Sequence, residues 1–202
     1  MRVTDEGPVE AGTYVTEAGG KVVTFTVPDS RVMFGDKVGG GWDGSVLIQV
    51  DPPQTANVWF VGPVSNVYLD GCDWGRNSQA DPPPGPNIDD FAAALASVGD
   101  RDVSEPTDVE VGGHRAKFLQ VTALPSGPLG GFEMCDEGIF MEVATPTTGL
   151  GHGEPEEAWD VWLVDVDGDR YWIHSVYLPD TPQEQLDQLH AIIESLTIES
   201  LP

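Results

Sequence analysis

Two cysteines stand in acidic, polar settings, Asp70-Gly71-Cys72-Asp73-Trp74 and Met134-Cys135-Asp136-Glu137. A buried structural thiol usually has apolar neighbours, and a reactive or metal-bound thiolate wants positive charge or further ligands nearby. Neither context offers these. One disulfide between Cys72 and Cys135 remains, and it implies an oxidising, extracytoplasmic compartment. The next chemistry-bearing group is Trp159, Trp172 and His174, flanking the turn Asp167-Gly168. A histidine among tryptophans suits a small amphipathic or carbohydrate-like ligand, so these three are the candidate ligand-binding residues. Packing on central strands is the commoner use of such side chains and stands beside that reading.

Other constellations point away from catalysis. No Gly-x-Ser-x-Gly elbow occurs, since Gly41–Ser45 has the wrong order, and no catalytic residue is assigned. Asp165, Asp167 and Asp169 invite a calcium reading, but the glycine comes too early for an EF-hand loop and no bidentate Glu follows. Turn chemistry accounts for Asp167-Gly168, and Asp165 opposite Arg170 reads as a cross-strand charge pair. No metal site or cofactor is therefore expected. With 34 acidic residues, any carboxylate pairing for glycoside hydrolysis is uninformative. Gly39-Gly40-Gly41 lacks the helix and lysine of a phosphate cradle. His114, His152, His174 and His190 fall on a turn, a loop, a strand and a helix in that order. His190 borders the helix's apolar stripe.

Turn signals set the elements that must position these residues. Gly19-Gly20 between Thr13–Glu17 and Lys21–Val27, Gly112-Gly113 between Val109–Val111 and His114–Val121, and Asp167-Gly168 between Trp159–Val166 and Asp169–Tyr177 each predict a hairpin. Such pairs accept the positive φ angles of two-residue turns. In the third hairpin Val164, Tyr171, Trp162 and Ile173 share one face. Leu163, Trp172, Val161, His174, Trp159 and Val176 share the other. Both faces are apolar, so both should be covered or one should line a pocket. Further strands are expected at Ser45–Val50, Asn57–Val61, Val67–Asp70, Ile139–Val143 and Leu196–Glu199.

Two helices are predicted. Asn87 caps the first, with Asp89 and Asp90 in its opening turn and Gly99 as its stop. The second opens on a capping box, Thr181-Pro182-Gln183-Glu184, and carries Leu186, Leu189 and Ile193 as one stripe. Pro82–Pro86 reads as a stiff connector. Gly35–Gly44 and the stretch from Ser126 to Gly131 read as loops. The sum is an α+β fold, a mainly antiparallel sheet built from hairpins with two long helices packed on it, the α/β/α sandwich being one form of it. Residues 1–10 read as the end of a linker and 11–202 as a single domain.

The 202 residues carry a formal charge of -25, with nine basic residues against 34 acidic ones. That balance opposes nucleic-acid binding and docking on anionic membranes. It keeps a secreted protein soluble, and adaptation to salt is a second reading. The 40% apolar content and six tryptophans argue for a real core. No apolar stretch approaches the roughly 20 residues of a membrane span. The N-terminus lacks the apolar core of a signal peptide, so secretion or anchoring would rely on a further segment.

Gly12–Val15, Val22–Pro28, Val67–Trp74, Asp90–Ala96, Val109–Val121, Cys135, Trp162–Ile173 and Ile192–Glu199 together resemble a secreted or lipoprotein domain of high-GC Gram-positive bacteria. Such domains are sometimes borne outside membrane sensor proteins. A strand ending Val27-Pro28 and a final helix running into a short strand also resemble the PsbP-type sandwich, although Asp29-Ser30-Arg31 stands where Gly-Trp is common. Neither resemblance supplies a catalytic residue. Three functions follow as expectations. The first is a non-enzymatic extracytoplasmic domain, lipoprotein or sensor ectodomain, binding a small ligand or protein partner. The others are a cell-envelope polymer hydrolase using a carboxylate pair, and a structural interaction module.

Overall fold

In the computed structural model, residues 7–28, 32–34, 46–50, 56–76, 78–124 and 131–200 are described. The strands in chain order begin with β1 (Gly7–Val9), β2 (Gly12–Ala18), β3 (Lys21–Val27), β4 (Val32–Phe34), β5 (Val46–Val50), β6 (Asn57–Pro63) and β7 (Asn66–Val67). After α1 (Ile88–Ala96) come β8 (Arg101–Val103), β9 (Thr107–Val111), β10 (His114–Ala123), β11 (Phe140–Ala144) and β12 (Gly149–His152). The chain closes with β13 (Ala158–Val166), β14 (Asp169–Tyr177), α2 (Gln183–Glu194) and β15 (Thr197–Ser200).

All three predicted hairpins form. Gly19, Gly20, Gly112, Gly113, Asp167 and Gly168 all take positive φ, as tight turns of this hand require. In β13–β14 every expected partner is opposed, from Val166 with Asp169 to Trp159 with Val176. The hairpin sits inside a nine-stranded antiparallel sheet ordered β1-β4-β5-β6-β14-β13-β10-β8, with β9 also paired to β10. Two three-stranded sheets, β15-β3-β2 and β12-β11-β7, complete the strands among the described residues.

The apolar alternation of β13–β14 explains the layering. Trp162, Val164, Val166, Tyr171 and Ile173 pack against Tyr14, Phe25 and Val27 of the first hairpin, Leu189, Ile192 and Ile193 of α2, and Ile198 of β15. On the other face Trp159, Val161, Leu163 and Trp172 meet Ile88, Phe91 and Leu95 of α1 with Val67, Val143 and Leu150. Each outer layer is thus one helix beside a three-stranded sheet. A strand pair buried on both sides has no polar face to expose, and the residues of β13–β14 reflect that.

The fold class read from sequence is corrected here. Nearly half of the structure is strand, so it is a mainly β fold with three antiparallel sheets, not an α+β fold with two long helices. The helices are of nine and 12 residues. Helix α1 ends on Ser97, two residues before the expected Gly99 stop, with the Ser97 N–H bonded to carbonyls of the last turn. The strands β8 and β12 lie in stretches where side-chain alternation is weak. Backbone pairing to β10 and β11 is enough to define them.

At the helix starts one expectation holds and one fails. Asn87 Oδ1 accepts from the Asp90 N–H at 2.8 Å, the predicted cap. The Thr181 box does not form. Pro182 is the N-cap, and the Thr181 hydroxyl turns back to accept from the Leu178 N–H at 3.0 Å. The expected loop at Gly35–Gly44 lies outside the described residues, as do 125–130.

Candidate functional site

On the face of β13 that looks toward α2, Asp160 follows Trp159 and precedes Val161 and Trp162, an acid inside an apolar run. Its carboxylate is buried and meets three donors. Oδ1 accepts from Gln120 Nε2 at 2.8 Å and from the Tyr177 hydroxyl at 2.9 Å. Oδ2 accepts from His190 Nε2 at 2.8 Å, which spans from sheet to helix. Burial pushes the Asp160 carboxyl up, but the hydrogen bonds from His190, Gln120 and Tyr177 outweigh it and hold it below 3.8. The same bond raises the His190 imidazole above 6.5, against the opposing effect of burial. Burial, then the Asp160 charge, raises the Tyr177 phenol well above its usual range.

His190 stands edge-on to Trp162, ring centres 5.8 Å apart, and Trp162 lies 5.3 Å from Phe118 of β10. These rings floor a cleft of about 220 Å³ between the β9–β10 turn and α2. Val111, Gly112 and Ile193 form its apolar sides, and Glu194, one helical turn beyond His190, borders it. The helix period brings His190 and Glu194 together at four-residue spacing while Leu189, Ile192 and Ile193 face the core. The cations of β10 point elsewhere. Lys117 reaches Asp89 and Asp108, each at 2.9 Å, and Arg115 reaches Asp89 at 2.7 Å.

The three residues singled out from sequence come together on the opposite face, out of solvent. Trp159, Trp172 and His174 are 2%, 0% and 3% exposed. The Trp159 ring is stacked between His152 and His174, at 4.1 and 4.2 Å, and Trp172 Nε1 donates to His174 Nδ1 at 3.0 Å. Burial drives the His174 imidazole well below 6.5, with the nearby His152 adding to the shift. His152 lies on β12 and not on a loop, its Nε2 3.0 Å from Glu142 Oε1. Glu142 in turn pairs with Arg101, whose guanidinium also donates to the Tyr68 carbonyl at 2.9 Å. This is an internal polar network beneath α1 and β7-β11-β12.

Cys72 and Cys135 form a disulfide. The acids around them are loop caps. Asp70 Oδ1 accepts from the N–H groups of Cys72 and Asp73, and Asp136 Oδ2 accepts from Gly75 N–H at 2.8 Å. Backbone joins the two loops as well, Asp136 N–H to Cys72 O at 2.8 Å. In the Asp-rich turn, Asp167 accepts from Lys21 Nζ at 2.8 Å and from Ser200, tying the third hairpin to β3 and β15. Asp165 and Arg170 are opposed in register, but Asp165 accepts from the Gly168 N–H and Arg170 donates to the Gly85 carbonyl while lying over the Phe91 ring.

Sequence reasoning placed His190 beside the apolar stripe and Trp162 on this face, and it missed Asp160 and the cleft. An acid interrupting an apolar strand was the available signal, because a buried carboxylate needs donors from neighbouring elements. Among the described residues, no helix is long and apolar enough to cross a membrane. No protein-family model matches the chain, and no curated protein matches it in sequence.

Proposed function

We propose that this chain is a non-enzymatic extracytoplasmic domain that binds a small amphipathic ligand in the cleft between α2 and the β9–β10 turn. The observation that carries this reading is the pairing of an aromatic floor, Phe118 and Trp162, with His190 held in place by the buried, fully hydrogen-bonded Asp160. Apolar walls with a few fixed polar groups are what small-molecule sites consist of. The disulfide supports the extracytoplasmic part, since such bonds persist in oxidising compartments. Delivery as a lipoprotein or as the ectodomain of a sensor fits both features.

A fragment screen followed by NMR tests the cleft. Amphipathic fragments should shift the Trp162 indole and His190 ring signals in a saturable way. A screen whose hits all map elsewhere would reject it.

A further inference from the structure

We infer that the occupant of this cleft is a single neutral pyranose ring, an assignment that rests on the ligand-binding reading above. The floor is two aromatic rings, Phe118 and Trp162, against which the C–H face of a sugar can pack. The polar groups at the mouth are of opposite kinds. Glu110 and Glu194 offer only acceptor oxygens. The His190 ring has its Nε2 committed to Asp160, which leaves Nδ1 as its remaining polar atom. The raised basicity of this imidazole makes Nδ1 a donor when the ring is charged. A sugar hydroxyl both donates and accepts, so neighbouring hydroxyls can satisfy Glu194 and His190 together.

Charge argues against anionic ligands, which would face Glu110, Glu194 and the field of a chain with formal charge -25. A cation is drawn by the same field, but an ammonium group has no acceptor atom for the His190 Nδ1 donor. A neutral, hydroxyl-rich ring meets neither penalty. At about 220 Å³ the cleft lies below the range of pockets for drug-sized ligands, which fits one ring.

The test is an NMR titration of the whole chain with methyl glucoside, methyl galactoside and N-acetylglucosamine, alongside benzyltrimethylammonium and benzoate. At least one sugar should saturate the Trp162 and His190 signals with a dissociation constant on the order of millimolar. Glu194→Gln, at an exposed helix position, should weaken it roughly tenfold with the spectrum otherwise unchanged. Saturation of the cleft by the ammonium or benzoate probe while the sugars stay silent would overturn the sugar assignment and leave the cleft as a site. Silence of all five at these signals would overturn the sugar assignment and the cleft reading together.

Discussion

Asp160 and His174 are two buried polar groups on opposite faces of one hairpin, and they answer pH in opposite ways. The Asp160–His190 bond raises the His190 pKa, so its contribution to stability is complete below 6.5 and is lost as pH rises through the raised value. Asp160's own lowered pKa keeps its contribution above 3.8, to be lost as pH falls through the folded value. His174 is held neutral, its pKa depressed by burial and then by His152. Its contribution is present above 6.5 and fades as pH falls below that, because only the unfolded chain takes up the proton readily. Urea unfolding across roughly pH 5 to 8 separates the two. His174→Phe should flatten the acid side of the stability profile, and His190→Gln the alkaline side. Asp160→Asn should cost about 2 kcal/mol at neutral pH, since three donors lose a charged acceptor. In that variant the His190 titration, followed by NMR, should move back toward 6.5.

At the scale of elements, the close approach of the first hairpin to β6 sets a steric requirement. Gly62 has φ +103° beside the bulge in the β6–β14 pairing, and a Cβ there would come 2.9 Å from the Gly19 Cα. Gly62→Ala should therefore destabilise by roughly 2–4 kcal/mol, from backbone strain and backbone contact together. Gly99→Ala meets open space, and Gly99 carries no positive φ; it should stay within about 0.5 kcal/mol of the parent. Chemical denaturation of the two variants checks the contrast. The same glycines show what the sequence could reveal. Gly19-Gly20, Gly112-Gly113 and Asp167-Gly168 declare their turns, and a two-residue turn fixes register, so β13–β14 could be paired residue by residue. Nothing comparable marks Arg101–Val103 or Gly149–His152, whose strand state comes from backbone pairing to β10 and β11 and not from their own side-chain pattern. For that reason the helices looked larger in the fold than they are. The cleft was hidden for the same cause. Glu110–Gly112, Trp162 and His190 converge only because α2 crosses the sheet at that place, and local pattern carries no record of crossing.

For the whole molecule, the disulfide and the charge dominate. Cys72 and Cys135 lie 63 residues apart in sequence, and chain-entropy reasoning gives a loop of that size about 4 kcal/mol. Replacing both by serine should lower the denaturation free energy by that order, with Asp136 still joining the two loops through its bonds to the Cys72 carbonyl and the Gly75 N–H. Mass spectrometry after denaturing alkylation without reductant should find no labelled cysteine in the parent chain. Two labels would remove the support for an oxidising compartment. With a formal charge of -25, self-repulsion opposes the compact state, so added sodium chloride should raise the melting temperature by several degrees before levelling off.

The small sheet β15-β3-β2 joins the two ends of the fold, because Thr197–Ser200 pairs with Lys21–Thr24. Asp167 pins that junction through Lys21 and Ser200. The first of the three hairpins in chain order is therefore the last to gain its third strand, and until then Phe25 and Val27 lack the Leu189, Ile193 and Ile198 that belong to their cluster. Contacts this distant in sequence close slowly. In a chain folding as it is made, the apolar side of that first hairpin would stay unlocked until Thr197–Ser200 arrived to pair with β3.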